Sequence, residues 1–177
     1  ELLGHSFSSH SDTEVILSAY RQWGEQCLER FNGMFAFVLV DRIQRRVFAA
    51  RDRFGVKPLY YWVSPAGLVA FASEIKQFIE LPGWRPLVNG PRAYDFLNWG
   101  LFDHTSETLF SNVRQLRGGE YVSCSIDELI KGVVAERWYN LAPTDSPSSP
   151  EEAAAGLRSL LEDSVRLRLR ADVPVGA

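Results

Sequence analysis

Apolar residues recur at helical spacing from Ile16 through Tyr20, Trp23 and Cys27 to Phe31, which predicts a helix with one face on a core. Ser11-Asp12-Thr13-Glu14 ahead of this stripe predicts a capping box, with Ser11 accepting from the backbone of Glu14 and Glu14 reaching back; Asn32-Gly33 predicts the helix end. Met34 to Val40 is then continuously apolar, which predicts a strand buried on both faces. A polar turn from Asp41 to Arg45 leads to a second strand, Arg46 to Arg51, so the two should form a hairpin. After the turn Asp52-Arg53-Phe54-Gly55, two more strands are expected at Leu59 to Val63 and Leu68 to Ala72, around Ser64-Pro65-Ala66-Gly67. Ser73 is expected to cap a short helix, Glu74 to Glu80, stopped by Pro82-Gly83. Asn89-Gly90-Pro91 opens another helix and Gly100 closes it. Glu120 to Ile126 alternates as a strand, and Val133 to Tyr139 predicts one more.

A boundary follows. Asn140 to Pro150 holds three prolines, three serines and almost no large apolar residue, and reads as a linker. Ser149, Pro150 and Glu152 start a second long helix, with Leu157, Leu160, Leu161 and Val165 on one face and few partners among the preceding residues. The expected organisation is an α+β domain over residues 1–139, a linker over 140–150, and the start of a second domain over 151–177.

Composition narrows the class of function. The 177 residues carry 19 basic and 22 acidic side chains, a net charge of −3, which gives no field for nucleic acid or an anionic membrane. No apolar run approaches the ~20 residues of a membrane span, and Glu1-Leu2-Leu3-Gly4-His5 lacks the pattern of a signal peptide. Two cysteines make neither a disulfide framework nor a zinc site, so a reducing cytoplasmic compartment is expected. The only methionine is Met34, and the far end, Val173-Pro174-Val175-Gly176-Ala177, is apolar; both ends read as cuts.

Several residues could carry chemistry. Asp12 falls in the first helical turn, where the helix dipole favours a carboxylate, so capping and ligand binding both fit. Cys27 lies on the apolar stripe and Cys124 alternates with Val122 and Ile126, positions that suit core packing rather than a reactive thiol. His5, His10 and His104 sit in polar, loop-like segments at no metal-binding spacing. The turn from Arg51 to Pro58 is rich in charge between apolar strands. There Asp52 is expected to hold Arg51 in a bidentate pair while Lys57-Pro58 redirects the chain; bracing and ligand contact both remain open. Gly118-Gly119 is a turn signal, too short for a phosphate cradle.

Six stretches in order resemble the glutamine-dependent asparagine synthetases. They are Ser11-Asp12-Thr13-Glu14; Asn32-Gly33-Met34-Phe35-Ala36-Phe37; Arg51 through Tyr61, similar to R-D-x-x-G-x-K-P-L-Y-Y; Phe71-Ala72-Ser73-Glu74-Ile75-Lys76; Thr108-Leu109-Phe110 to Gly119, with Arg117-Gly118 where that family usually has proline; and Leu169 to Ala177, similar to the strand before the S-G-G-x-D-S nucleotide loop.

The resemblance implies an N-terminal-nucleophile hydrolase-like αββα sandwich, incomplete here, followed by the first helix of a synthetase domain. It implies a glutaminase that passes ammonia to a site where aspartate, activated by ATP with magnesium, becomes asparagine, with glutamate, AMP and pyrophosphate released. The family's nucleophile is an N-terminal cysteine with an Asn-Gly oxyanion hole. Residue 1 here is Glu, and Asn32-Gly33 stands elsewhere in the pattern, so no catalytic residue is assigned and the chain alone is expected to be inactive. Asp12 is implied to bind the α-ammonium of glutamine, and Met34 and Val56 to line the ammonia route, with plain packing open for these two. Arg51, Asp52 and Lys57 form a structural loop. Glutamine and aspartate are the implied substrates, and a homodimer is compatible. The alternatives are an amide-forming relative with another acceptor and a non-enzymatic truncated domain.

Overall fold

Two antiparallel sheets organise the chain up to Asn140. The computed structural model describes residues 4, 6–9, 11–142 and 149–169. In the first sheet β1 (Ala36–Asp41) pairs with β2 (Arg46–Arg51), from Ala36 opposite Arg51 to Asp41 opposite Arg46. The hairpin closes because Asp41 Oδ1 accepts the N–H groups of Ile43 and Gln44, both at 2.9 Å. β6 (Glu120–Ser125) pairs with β2 on its other side and with β7 (Glu136–Arg137), giving the order β1-β2-β6-β7. The second sheet has the order β4-β3-β5, from β3 (Tyr60–Val63), β4 (Val69–Ala72) and β5 (Val113–Gln115).

Strand alternation divides the side chains into three apolar layers. Val47, Ala49 and Val122 of the first sheet meet Leu59 and Leu116, with Val69 and Phe71 of β4 against them. On the other face of the first sheet, Phe48 and Ala50 pack with Ala19, Cys27 and Leu28 of the helical layer. Trp62 and Val113 of the second sheet bury Phe78 on its far side. Removing a ring such as Phe48 from water contributes about 2–3 kcal/mol.

Helix α1 (Asp12–Trp23) is shorter than the apolar stripe predicts. Gly24 has φ 57° and breaks it; a single 3-10 turn, Gly24–Gln26, leads to α2 (Cys27–Arg30). The stripe keeps its phase through the break, since Tyr20, Trp23, Cys27 and Phe31 all join one cluster. β1 is an edge strand and is not buried on both faces: Val38 and Val40 are 38% and 54% exposed. The cluster between the sheets draws on β2 and β6 and reaches only Ala36 of β1.

The helix after β4 is a 3-10 helix, Ile75–Glu80, and its cap is Glu74 rather than Ser73, because Gln77 returns its side chain to the N–H groups of Ser73 and Glu74. α3 (Gly90–Trp99) begins at Asn89 and ends at left-handed Gly100, as the sequence predicts. β6 stops at Ser125, whose capping box with Glu128 starts α4 (Ile126–Leu129). The strand expected over Val133 to Tyr139 reduces to the two residues of β7.

A second unit begins at Leu141 and contains α5 (Pro150–Arg168), capped by Ser149 accepting from Glu152 N–H at 3.2 Å. Leu157, Leu160, Leu161 and Val165 are all exposed on it. Residues 143–148 of the expected linker and 170–177 of the expected strand lie outside the described residues.

Candidate functional site

The corner between β2 and β3 is built around two charged residues that do not pair with each other. Asp52 is 2% exposed, and its carboxylate accepts three backbone N–H groups: Phe54 at 3.1 Å and Val56 at 3.0 Å on Oδ1, and Lys57 at 3.0 Å on Oδ2. Arg51 takes the carbonyls instead. Its Nε donates to Lys57 O at 2.6 Å, and its two terminal nitrogens donate to Gly55 O at 2.6 Å and Leu116 O at 2.7 Å. Burial holds the Arg51 guanidinium below its ordinary pKa. The bidentate Arg51–Asp52 pair expected from the sequence is therefore absent among the described residues. Neighbours in extended backbone project to opposite sides, so one fastens the donors of the loop and the other its acceptors. Lys57 contributes its backbone to both sets, and its side chain is exposed.

The rest of the molecule is tied to this corner. Asp52 N–H donates to Phe35 O at 2.8 Å, and Gly119 N–H to Asp52 O at 2.8 Å. Arg53 reaches Phe31 O and, at 3.1 Å, Glu29 O, while its guanidinium lies 5.2 Å from the ring of Trp138. Gln115, which the pattern did not single out, is buried and accepts from Arg51 while donating to Thr105 O at 2.8 Å. Nothing in the sequence marked it, because the strand that carries it, β5, is only three residues long.

Met34 and Val56 flank this corner, Met34 beside the Phe35 carbonyl that Asp52 engages and Val56 on the Asp52 carboxylate; they are 43% and 48% exposed. Asp12 is the first residue of α1 and takes no part in the hydrogen bonds of this corner. Its carboxylate is exposed and makes no hydrogen bond or ion pair to a described residue. The capping differs from the expected box. Ser11 accepts from Thr13 N–H at 3.2 Å, and Glu14 bypasses Ser11 to take the N–H and hydroxyl groups of Ser8 and Ser9, at 2.6–3.1 Å. The Ser9 hydroxyl is the chief cause that lowers Glu14 to about 2. Asp12 is thus left out of the capping network that its neighbours form.

Cys27 is fully buried and burial raises its thiol to about 11; burial also raises that of half-buried Cys124, so neither is an activated nucleophile. His104 is not merely solvated: its Nε2 lies 3.0 Å from Asp95 Oδ2 and 2.8 Å from an Arg92 nitrogen on α3. His5 and His10 lie outside the described residues. No described helix is long and apolar enough to cross a membrane.

The sequence family described as the glutamine amidotransferase domain matches residues 1–139. A glutamine-hydrolyzing asparagine synthetase of Bacillus subtilis, numbered 3, is 33% identical over 172 residues, covering 97% of this chain and 27% of its own length. Amidase chry2 of Gibberella zeae is 34% identical over 176 residues, 96% of this chain and 24% of its own. The B. subtilis asparagine synthetase numbered 1 is 29% identical over 180 residues, all of this chain and 27% of its own. The chain therefore spans about a quarter of the length of the curated relatives it matches.

Proposed function

The chain belongs to the glutamine amidotransferase domain family, and from that premise we propose that it is the greater part of the glutaminase of a longer, cytoplasmic, glutamine-dependent asparagine synthetase. The observation that carries this reading is the alignment of nearly the whole chain with glutamine-hydrolyzing asparagine synthetases. In it the two stacked sheets with their helical layer are an incomplete N-terminal-nucleophile hydrolase sandwich, and α5 is the first helix of the synthetase domain. The exposed leucines of α5 support that assignment, because an amphipathic helix with no buried residue has an apolar face left to cover.

Asp12 holds the α-ammonium of glutamine. Its place in the first turn fixes it on a rigid element, and Ser11 does the capping, which leaves both carboxylate oxygens for a ligand. Met34 and Val56 line the way by which ammonia leaves. An apolar lining disfavours ammonium and keeps the neutral, nucleophilic form. Asp52 and Arg51 keep that lining in place through the loop backbone. Aspartate, ATP and magnesium belong to the second step in the full-length enzyme. The described residues do not fit a magnesium site, since among them no group of three or more His, Cys, Asp or Glu could hold a metal ion.

A second reading has its own support: the fungal relative, 34% identical, is named an amidase, so the acceptor of the nitrogen is open. Tracing the nitrogen separates the two. The full-length protein is given glutamine labelled with nitrogen-15 in its amide, together with aspartate and ATP. Label in the side chain of asparagine is expected. Glutamine hydrolysis with no labelled asparagine would favour the other acceptor, and no hydrolysis would contradict both readings.

A further inference from the structure

The groups that fix Arg51 and Arg53 are neutral: backbone carbonyls for both, with the Gln115 amide oxygen added for Arg51. Among the described residues neither guanidinium makes an ion pair, and the Arg117 side chain makes no hydrogen bond or ion pair. Hydrogen bonds to carbonyls hold a guanidinium in place without cancelling its charge. These three and Arg137 line one pocket of about 330 Å³.

Gly55 and Gly118 also line the pocket, with bare backbone. A Cβ on Gly118 would stand 2.6 Å from Gly55 N and 2.7 Å from the Phe54 carbonyl carbon, so the turn before β6 and the Arg51–Lys57 loop touch through their glycines. One carboxylate lines the pocket, Asp103, with Oδ1 3.4 Å from Gln115 Nε2. Two more lie close by: Glu120 pairs with Arg137 at 3.6 Å and accepts Arg117 N–H at 2.9 Å, and Asp52 is spent on the loop N–H groups. The lining itself is four guanidinium groups against one carboxylate.

We propose that this pocket binds a small phosphate-bearing anion. The arginines come from three separate segments: the end of β2 with the loop after it, the β5–β6 turn, and β7. That suits a tetrahedral oxyanion, whose oxygens diverge, better than a planar carboxylate, which one fork satisfies. Near neutrality inorganic phosphate carries at least one P–OH, and Asp103 is an acceptor for it. The site goes beyond the glutamine reading: Asp12, Met34 and Val56 do not line it.

Isothermal titration of the 177-residue chain at low ionic strength, with inorganic phosphate, pyrophosphate, AMP and malonate in turn, tests this. Saturable binding of phosphate or pyrophosphate is expected, weakened by added salt. Arg117→Gln should weaken it about ten- to a hundredfold, and Arg117→Lys less. The circular dichroism of both variants should match the parent, because no hydrogen bond among the described residues uses the Arg117 side chain. Arg21→Gln, outside the pocket, should leave binding unchanged. AMP tighter than phosphate assigns the pocket to a phosphate ester, and the reverse order to the free ion; both support it. No saturable binding, malonate binding as tightly as phosphate, or full binding by Arg117→Gln would overturn it.

Discussion

Asp52 carries more of the local structure than its neighbours, because one buried carboxylate satisfies three N–H groups of a five-residue loop. Asn in its place would turn an amide donor toward at least one of those donors and remove the charge. Asp52→Asn should lower the unfolding free energy by about 2–3 kcal/mol, read from urea denaturation; a loss under about 0.5 kcal/mol would contradict the assignment. Glu14 gives a pH signature of opposite exposure. Its folded-state pKa of about 2 lies below the ordinary 4.5, so it stabilises the fold at pH above the unfolded value, and that contribution fades as pH falls from there through about 2. An NMR titration should place the Glu14 midpoint near 2, and Ser9→Ala should raise it; a midpoint near 4.5 in the parent would show that the Ser8–Ser9 bonds do not form in solution. The charge-rich turn was legible as unusual in the sequence, but its bonding was not. Adjacency in sequence suggested a pair, whereas the extended backbone sends the two side chains apart to serve the same loop.

At the scale of elements, periodicity located α1, the β1–β2 hairpin, β3, β4, α3, β6 and α5, since each is long enough or well enough punctuated to show its period. It missed β5 and α4, three and four residues long, where tertiary pairing and a cap decide the outcome. It also misread β1: a continuous apolar run says that both faces are apolar, not that both are covered. Gly118-Gly119 was legible as a turn, but the close approach beneath it was not, because contact between Gly55 and Gly118, 63 residues apart in sequence, leaves no local trace. The approach makes a sharp prediction. Gly118→Ala puts a methyl group 2.6 Å from Gly55 N, against backbone that cannot step aside, and should cost several kcal/mol, about 3 or more. Gly83→Ala, where nothing lies within 4 Å but φ is 85°, should cost only about 1 kcal/mol in the same thermal unfolding series. Equal losses would mean that the loop yields to the added methyl group and that the contact does not fix Gly118.

Across the whole molecule, stability is concentrated in the unit ending at Asn140. Every buried residue of the three apolar clusters lies there, and α5 has none. A 19-residue helix without a packed face is marginal in water. Amides of residues 154–168 should therefore exchange with deuterium orders of magnitude faster than those of β2; protection matching β2 would mean that α5 is covered in the chain as it stands. The family was legible from motifs in order, and the split near residue 140 from its prolines and serines. The role of Asp12 has remained an assignment by resemblance, to which the structure adds an exposed carboxylate outside the capping network. Replacing it tests the central claim most directly. In the full-length enzyme, Asp12→Asn keeps size and removes charge, and a charge-assisted bond to an ammonium is worth roughly 1.5–3 kcal/mol. The Michaelis constant for glutamine should rise about ten- to a hundredfold, while synthesis from free ammonia stays unchanged on the same preparation. If both activities fall together, Asp12 only supports the helix; if neither changes, glutamine is bound elsewhere.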